Sequence, residues 1–237
     1  MKREAWSWTM SNPVFGMRNL RREYGDRLLT LLAILLALTI FVFAPLQALG
    51  IFVFHVFAIA ALLAIIGSML VISDHPVALA VMSVAFAANV VVFITRLLHP
   101  WPYNLHLLAG AWLAISVTLG LVVAQAVFRP GKVNYHRIAG AILLYLLIAI
   151  AFGTLFVFVG LSFPGAFNGI GFEDNSGLAN SVFYLSFVTL TSTGYGDIVP
   201  VHPLARSLCN IESVVGQLYP ATLLARLVTL EMRDQGS

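Results

Sequence analysis

Hydrophobic residues form long, nearly uninterrupted runs along the chain, separated by short segments rich in Pro, Gly, Asn and charged residues. Six runs have about 20 or more residues each, enough for a helix to cross about 30 Å of hydrocarbon. They cover 28–48, 51–72, 77–97, 105–128, 138–162 and 204–229. The pattern therefore predicts an all-α integral membrane protein with six transmembrane helices.

One further apolar segment, 178–191, has only about 14 residues, which is too short to span and is typical of a re-entrant helix. A polar, Gly-rich stretch precedes it (162–177), and the sequence "TLTSTGYGDIVP" (189–200) overlaps its end and follows it. Irregular backbone at membrane depth is tolerated only where protein or a water-filled path satisfies its polar groups. The segment between the fifth and sixth runs is therefore the candidate functional region.

Composition supports the membrane assignment, because 60% of the residues are hydrophobic and only 10% are charged. If the N-terminus is cytoplasmic, only Arg96 and Arg206 of the 13 Lys and Arg residues face outward, as the positive-inside rule requires. We therefore expect a multi-pass protein of the plasma (inner) membrane with both termini in the cytoplasm. The basic residues flank apolar runs and are not interleaved with aromatics, so no nucleic-acid partner is expected.

The stretch "TSTGYGD" (191–197) is suited to binding a cation through its backbone carbonyls. A dehydrated cation needs oxygen ligands, which a ring of backbone carbonyls from several copies of one loop supplies. Successive carbonyls reach a common axis when the backbone alternates between ordinary and left-handed conformations. Gly194 and Gly196 stand at alternate positions and adopt the left-handed form without a Cβ penalty. We expect Tyr195, between them, to turn its ring away from the axis.

The stretch "TSTGYGD", preceded by "SFVTL", resembles the selectivity filter of the potassium channels, whose usual form is T-V-G-Y-G-D. The resemblance covers about 138–229 and implies a homotetramer, because that family builds one pore from four loops. It implies potassium ions as permeant ligands and no other cofactor or metal. Membrane lipids are the other expected partners of the tetramer. By resemblance, the ion-coordinating residues are Ser192, Thr193, Gly194, Tyr195 and Gly196, with the Ser192 hydroxyl innermost.

Two departures from the family pattern bear on selectivity. Ser192 stands where the family usually has Thr, and Thr193 stands where it usually has Val. A non-selective cation channel therefore stays open as an alternative, as does a non-conducting partner or sensor subunit with a channel fold.

The residues expected to support the filter are Tyr184, Thr189, Thr191, Asp197 and Glu212. Of these, Glu212 is an acid inside a predicted span and is therefore a default functional candidate.

The sixth run contains a predicted gating and inner-cavity region. Gly216 aligns with the family's hinge glycine, and a proline four residues later favours a kink. Both residues also suit ordinary transmembrane packing. The predicted cavity-lining set is Gly216, Gln217, Pro220, Leu224 and Val228. Arg226 lies off this stripe, and we expect it to extend to the cytoplasmic headgroups.

Three acids, Glu173, Asp174 and Asp197, are expected near the outer mouth. They form either an acidic vestibule that concentrates cations or, for the first two, a solvated loop.

The fourth run, 105–128, contains no Arg or Lys. A charge crossing the membrane field contributes about 2.3 kcal/mol per 100 mV, so the first four runs lack the charges for steep voltage gating.

The sequence thus predicts four parts. They are a cytoplasmic segment (1–26), a bundle that resembles a voltage sensor without gating charges (27–128), a pore domain (129–230) and a cytoplasmic tail (231–237). An enzyme is not expected, because no carboxylate pair, nucleophile–base set or metal cluster shares a plausible pocket.

Overall fold

The computed structural model describes residues 29–50, 66, 76–98, 101–128 and 135–235. Within these ranges the chain is mainly helical, with one short two-stranded sheet. The expected cytoplasmic segment 1–26 lies outside the described residues, and so does the second predicted span (51–72) apart from residue 66.

Among the described residues, four helices are long and apolar enough to cross a membrane. They are α1 (Leu29–Ala48), α2 (Pro76–Leu98), α3 (Asn104–Val127) and α4 (Tyr135–Ser162). Their ends lie within three residues of the predicted runs. The agreement follows from composition, because Leu, Val, Ile, Ala and Phe dominate each run and turn-forming residues separate the runs. The protein is therefore a membrane protein with a mainly helical fold.

The last two helices differ from these four. Helix α5 (Leu178–Leu190) is the short apolar segment, and α6 (Pro203–Gln235) is a continuous helix that includes Pro220. Helix α6 is not among the helices apolar enough to span, because Arg206, Glu212 and Gln217 interrupt its hydrophobic pattern. It also extends past the predicted end at 229, so most of the expected tail 231–237 is helical. The residues "TLEMRDQ" include good helix formers and neither Gly nor Pro.

A short sheet joins the two sides of the segment between α4 and α6. Strand β1 (Phe167–Asn168) pairs antiparallel with β2 (Val199–Pro200), with Phe167 opposite Pro200. The amides of Val201 and His202 also donate to the carbonyl of Ala166, at 2.8 and 3.1 Å. The loop that follows α4 is therefore tied to the chain that enters α6.

Side chains of α1 to α4 form the larger apolar core, in which Met82, Val123 and Leu143 are fully buried. Small residues permit close packing, and Ala109 and Ala111 of α3 are both buried. Without a hydrophobic driving force between helices in lipid, such van der Waals packing supplies much of their association. Helix α1 also contacts α5, because the rings of Phe41 and Phe187 lie 4.9 Å apart.

Candidate functional site

The loop between α5 and β2 has an alternating backbone conformation. Ser192, Gly194 and Gly196 have φ values of 55°, 57° and 81°. The sequence predicted this alternation at the two glycines and missed Ser192, which is the one non-glycine residue with positive φ in the described part of the chain. A left-handed residue with a Cβ costs about 1–2 kcal/mol, so the surrounding contacts must hold Ser192 in place. The sequence signal for a left-handed Ser192 was its position two residues before Gly194, which continues the alternation of Gly194 and Gly196.

The end of α5 holds the beginning of this loop. The amides of Thr193 and Gly194 donate to the carbonyl of Val188 at 2.9 and 3.4 Å, and the Ser192 amide donates to the Thr189 carbonyl at 2.9 Å. The last carbonyls of a helix have no partner within it, and here the loop supplies donors. The loop therefore folds back onto the C-terminal end of α5.

Two threonine hydroxyls attach the loop to the same helix end. The Thr191 hydroxyl donates to the Phe187 carbonyl at 2.7 Å. Its oxygen lies 2.8 Å from the Thr193 hydroxyl oxygen. Because a carbonyl only accepts, the Thr191 proton is already used, and Thr193 must be the donor to Thr191. The Thr193 hydroxyl, which a valine at this position would lack, is thus hydrogen-bonded to Thr191 within the loop.

Helix α6 contacts α5 and the loop through Ser213, Gly216 and Gln217. Ser213 donates to the Thr189 carbonyl at 3.1 Å, and the Gln217 amide donates to the Ser192 hydroxyl at 3.1 Å. Between them, a Cβ added to Gly216 would lie 1.8 Å from the Leu190 carbonyl oxygen. Gly216 therefore has a packing reason in the structure, independent of any hinge, because only glycine allows this approach.

Glu212 is fully buried one turn earlier on α6. The Ser186 hydroxyl oxygen lies 2.5 Å from Glu212 Oε1 and 2.8 Å from the Ala149 carbonyl oxygen. Ser186 has one proton and two acceptors beside it. Both bonds form together when Glu212 is protonated and donates to Ser186, which donates to Ala149. This arrangement connects α4, α5 and α6 behind the loop.

The outer end of the loop is held from two sides. The rings of Tyr184 and Tyr195 stack with centroids 6.3 Å apart, and the Tyr184 side chain lies close to Asp197. On the other side, a Cβ added to Gly169 would lie 2.2 Å from the Asp197 carbonyl oxygen, and Gly169 has a φ of 88°. The chain from 191 to 197 is thus supported along its length, although each of its residues is exposed in the single chain.

The acids at the outer side have different environments. Asp174 forms a two-pronged ion pair with Arg96 of α2, at 2.5 Å (Nη2–Oδ1) and 3.1 Å (Nε–Oδ2). The expectation of a free Asp174 charge in an outer vestibule is therefore corrected, because Arg96 neutralises it. Glu173 is exposed.

The predicted cavity-lining residues near the end of α6 are only partly described. Leu224 is exposed, and Pro220 lies inside the continuous helix. Val228 belongs to α6, but its side chain lies outside the description. Arg226, which we expect to extend to the cytoplasmic headgroups, contacts the residue that follows α3. It donates to the Phe128 carbonyl at the end of α3, and its guanidinium lies 5.0 Å from the centre of the Phe128 ring.

Part of this chain is similar to known proteins. Residues 141–233 match the family described as "Ion channel". A curated relative, Protein LctB of Bacillus caldotenax, is 38% identical over 56 residues, which are 24% of this chain and 41% of LctB. The aligned part thus spans less than half of that relative. No solved structure matches the chain. The family match begins within α4 and includes α5, the loop and most of α6.

Proposed function

We propose, from the match of residues 141–233 to the family described as "Ion channel", that the protein is a homotetrameric potassium channel. It conducts passively through the loop 191–197 and is not steeply voltage-gated. The observation that carries the proposal is the backbone alternation at Ser192, Gly194 and Gly196 around "GYGD". We assign the pore domain to 129–230 and the peripheral bundle to 27–128.

Potassium coordination follows from the alternation. Residues of opposite handedness turn successive carbonyls toward one side, and a ring of such loops replaces the hydration shell of an ion. The ligands are the carbonyls of Ser192, Thr193, Gly194, Tyr195 and Gly196, with the Ser192 hydroxyl innermost. The exposure of the loop in the single chain supports assembly around an axis, and closed symmetry is the usual arrangement of identical chains.

The topology that fits this function has six spans with α5 re-entrant and α6 as the sixth. Water on one face of α6 accounts for its lower hydropathy, because cavity-lining positions need not be apolar. The cavity is lined by Gly216, Gln217, Pro220, Leu224 and Val228. Helix α5 directs its carbonyl end toward the pore, where partial negative charge favours a cation. Both termini are cytoplasmic, and the channel lies in the plasma (inner) membrane.

The peripheral helices support the absence of steep voltage gating. Helices α1 and α3 contain no Arg or Lys, and the one such residue of α2, Arg96, is paired with Asp174 near the helix end. A voltage sensor needs several charges that move through the field, each contributing about 2.3 kcal/mol per 100 mV. These helices therefore serve as a scaffold for the pore.

Ion flux into liposomes that contain only the purified protein tests the proposal. A potassium gradient should drive flux, and a sodium gradient should not. Gly194→Ala should abolish the potassium flux, because alanine is strained at a φ of 57°. Gly171→Ala is the matched control, since its added Cβ meets no atom within 4 Å and its φ is not positive.

Two other results would overturn parts of the proposal. Equal potassium and sodium flux would establish a non-selective channel, which the departures at Ser192 and Thr193 favour as the second candidate. Absence of flux from folded tetramers, with recovery on addition of a second channel subunit, would establish a partner subunit.

A further inference from the structure

The side chain of Ser192 carries little restraint of its own. A threonine has two heavy atoms on Cβ, which restrict its χ1 rotamers, whereas serine has a single oxygen there and turns more freely. The proposed channel uses this hydroxyl as its innermost ion ligand, so the direction of the oxygen affects which ion it suits. An outside group is therefore needed to fix the Ser192 hydroxyl.

Gln217 of α6 provides such a group. Its Nε2 atom lies 3.1 Å from Ser192 Oγ, although the two residues are 25 positions apart in the sequence. Among the residues that the structure describes, Gln217 is the one hydrogen-bond partner of this hydroxyl. A hydroxyl has one proton and two lone pairs, so the bond leaves a lone pair for an ion.

Two neighbouring contacts set how far Gln217 reaches. One turn earlier, Ser213 donates to the Thr189 carbonyl at 3.1 Å. At Gly216 the helix lies against the Leu190 carbonyl oxygen, where an added Cβ would be 1.8 Å away. Because both contacts are made to the end of α5, α6 cannot slide along the loop without losing them. The Gln217 amide is therefore held at a fixed distance from the base of the loop.

A neutral amide suits this position. The amide of Gln217 bonds to a hydroxyl whichever of its two ends faces it, because the NH₂ group donates and the carbonyl accepts. A leucine, of similar size, would offer neither group. A glutamate would add a charge beside the proposed ion path. Gln217 thus restrains the Ser192 hydroxyl without adding a charge of its own.

We propose that Gln217 is a positioning residue for ion selectivity, which fixes the direction of the Ser192 hydroxyl and so favours potassium over sodium. The inference rests on the proposed function and extends it to a residue outside the loop. Sodium is the smaller ion, and a hydroxyl that turns freely can follow it inward, so loss of the restraint should reduce the discrimination. The hydrogen bond from Gln217 takes the place of the methyl group that serine lacks.

Permeability of the full chain to potassium and sodium, measured in planar bilayers, tests this role. Gln217→Leu removes the amide at similar size and should lower the potassium-to-sodium permeability ratio about tenfold, because one neutral hydrogen bond is lost. Ser192→Thr, added to Gln217→Leu, supplies a restraint through its methyl group and should recover the ratio. Thr222→Val is the matched control and should leave the ratio unchanged, because the Thr222 hydroxyl bonds to carbonyls of α6 itself.

Thermal stability in each ion gives a second readout, which needs no open pore. An ion that binds the folded tetramer raises its melting temperature, so the natural protein should melt higher in potassium than in sodium at equal concentration. Gln217→Leu should reduce this difference, and the addition of Ser192→Thr should restore it. A purely structural role for Gln217 would lower both melting temperatures equally and leave the difference unchanged.

The natural protein and the variants test separate statements. A natural protein that shows no preference for potassium by either measurement would overturn the proposed function and this inference with it. A selective natural protein with an unchanged preference in Gln217→Leu would overturn the inference alone. It would also be wrong if Ser192→Thr were selective by itself and failed to rescue Gln217→Leu. If Ser192→Thr alone lost the preference, the equivalence of the methyl group and the hydrogen bond would be wrong.

Discussion

The region around the loop and the peripheral helices are held together by different contacts. Around the loop, named polar groups join α5, α6 and the chain 191–197, as in the bonds of Ser213 to Thr189 and Gln217 to Ser192. Helices α1 to α3 pack on α4 mainly through apolar side chains. Polar contacts require fixed atomic positions, whereas apolar packing tolerates changes that preserve volume. The two regions should therefore differ in their sensitivity to small substitutions.

The strongest test of this difference compares two glycines. Gly216→Ala should abolish potassium flux and lower the melting temperature, because the new Cβ would lie 1.8 Å from the Leu190 carbonyl oxygen. Gly110→Ala in α3 should be tolerated, because its nearest neighbour, a Phe158 ring carbon, lies at 3.8 Å. Thermal unfolding of both variants in detergent, with flux in liposomes, measures the contrast. Similar melting temperatures would contradict the close contact between α5 and α6.

The buried acid behind the loop gives a smaller effect. Glu212→Gln should fold and conduct like the natural protein, because its amide can donate to Ser186 and leave the Ser186 proton for the Ala149 carbonyl. Glu212→Ala should lose about 2–4 kcal/mol of unfolding free energy through a cavity and a missing partner. Denaturant unfolding in micelles separates the two. If Gln were as damaging as Ala, Glu212 would have to act as a charge.

The hydroxyl of Thr193 should matter by about 1 kcal/mol. Thr193→Val removes the donor to Thr191 and should lower stability by about 0.5–1.5 kcal/mol while keeping potassium flux. Thr193→Ser retains the hydroxyl and serves as the control. A cycle with Thr191→Val should show that the two losses are not additive. Additive losses would mean that these hydroxyls do not bond to each other.

The ion pair between Arg96 and Asp174 should have the smallest effect. Both side chains are partly exposed, so the pair should contribute about 0–1 kcal/mol and weaken with salt. A double-mutant cycle of Arg96→Gln and Asp174→Asn, at low and high salt, measures it. A coupling free energy above about 2 kcal/mol would mean that a polar contact also stabilises the peripheral helices strongly. The contrast between the loop region and the peripheral helices would then be wrong.

Hydropathy was enough to locate the helices that the structure describes, because membrane-spanning runs are set by composition. The shortness of α5 and the alternating glycines were also evident from the sequence. The family match confirms the resemblance to pore-loop channels. The individual ion-coordinating and gating roles stay predictions.

The contacts between distant segments were not predictable. Arg96 and Asp174 are 78 residues apart, and Arg226 and Phe128 are 98 residues apart. No local pattern specifies such pairs. Gly216 shows the same limit, because the sequence left a hinge and ordinary packing both open, and only the structure shows that Leu190 is the residue it contacts.

The pairing of β1 with β2 has a consequence for how the sequence can vary. Four residues connect Ser162, the end of α4, to Phe167, and the register opposite Pro200 then sets where Gly169 meets the Asp197 carbonyl. A one-residue slip in a strand pair reverses which side chains face which side. Insertions before Phe167 should therefore be rarer among relatives than insertions at 173–176, and the length of this loop should be constrained as strictly as its residues.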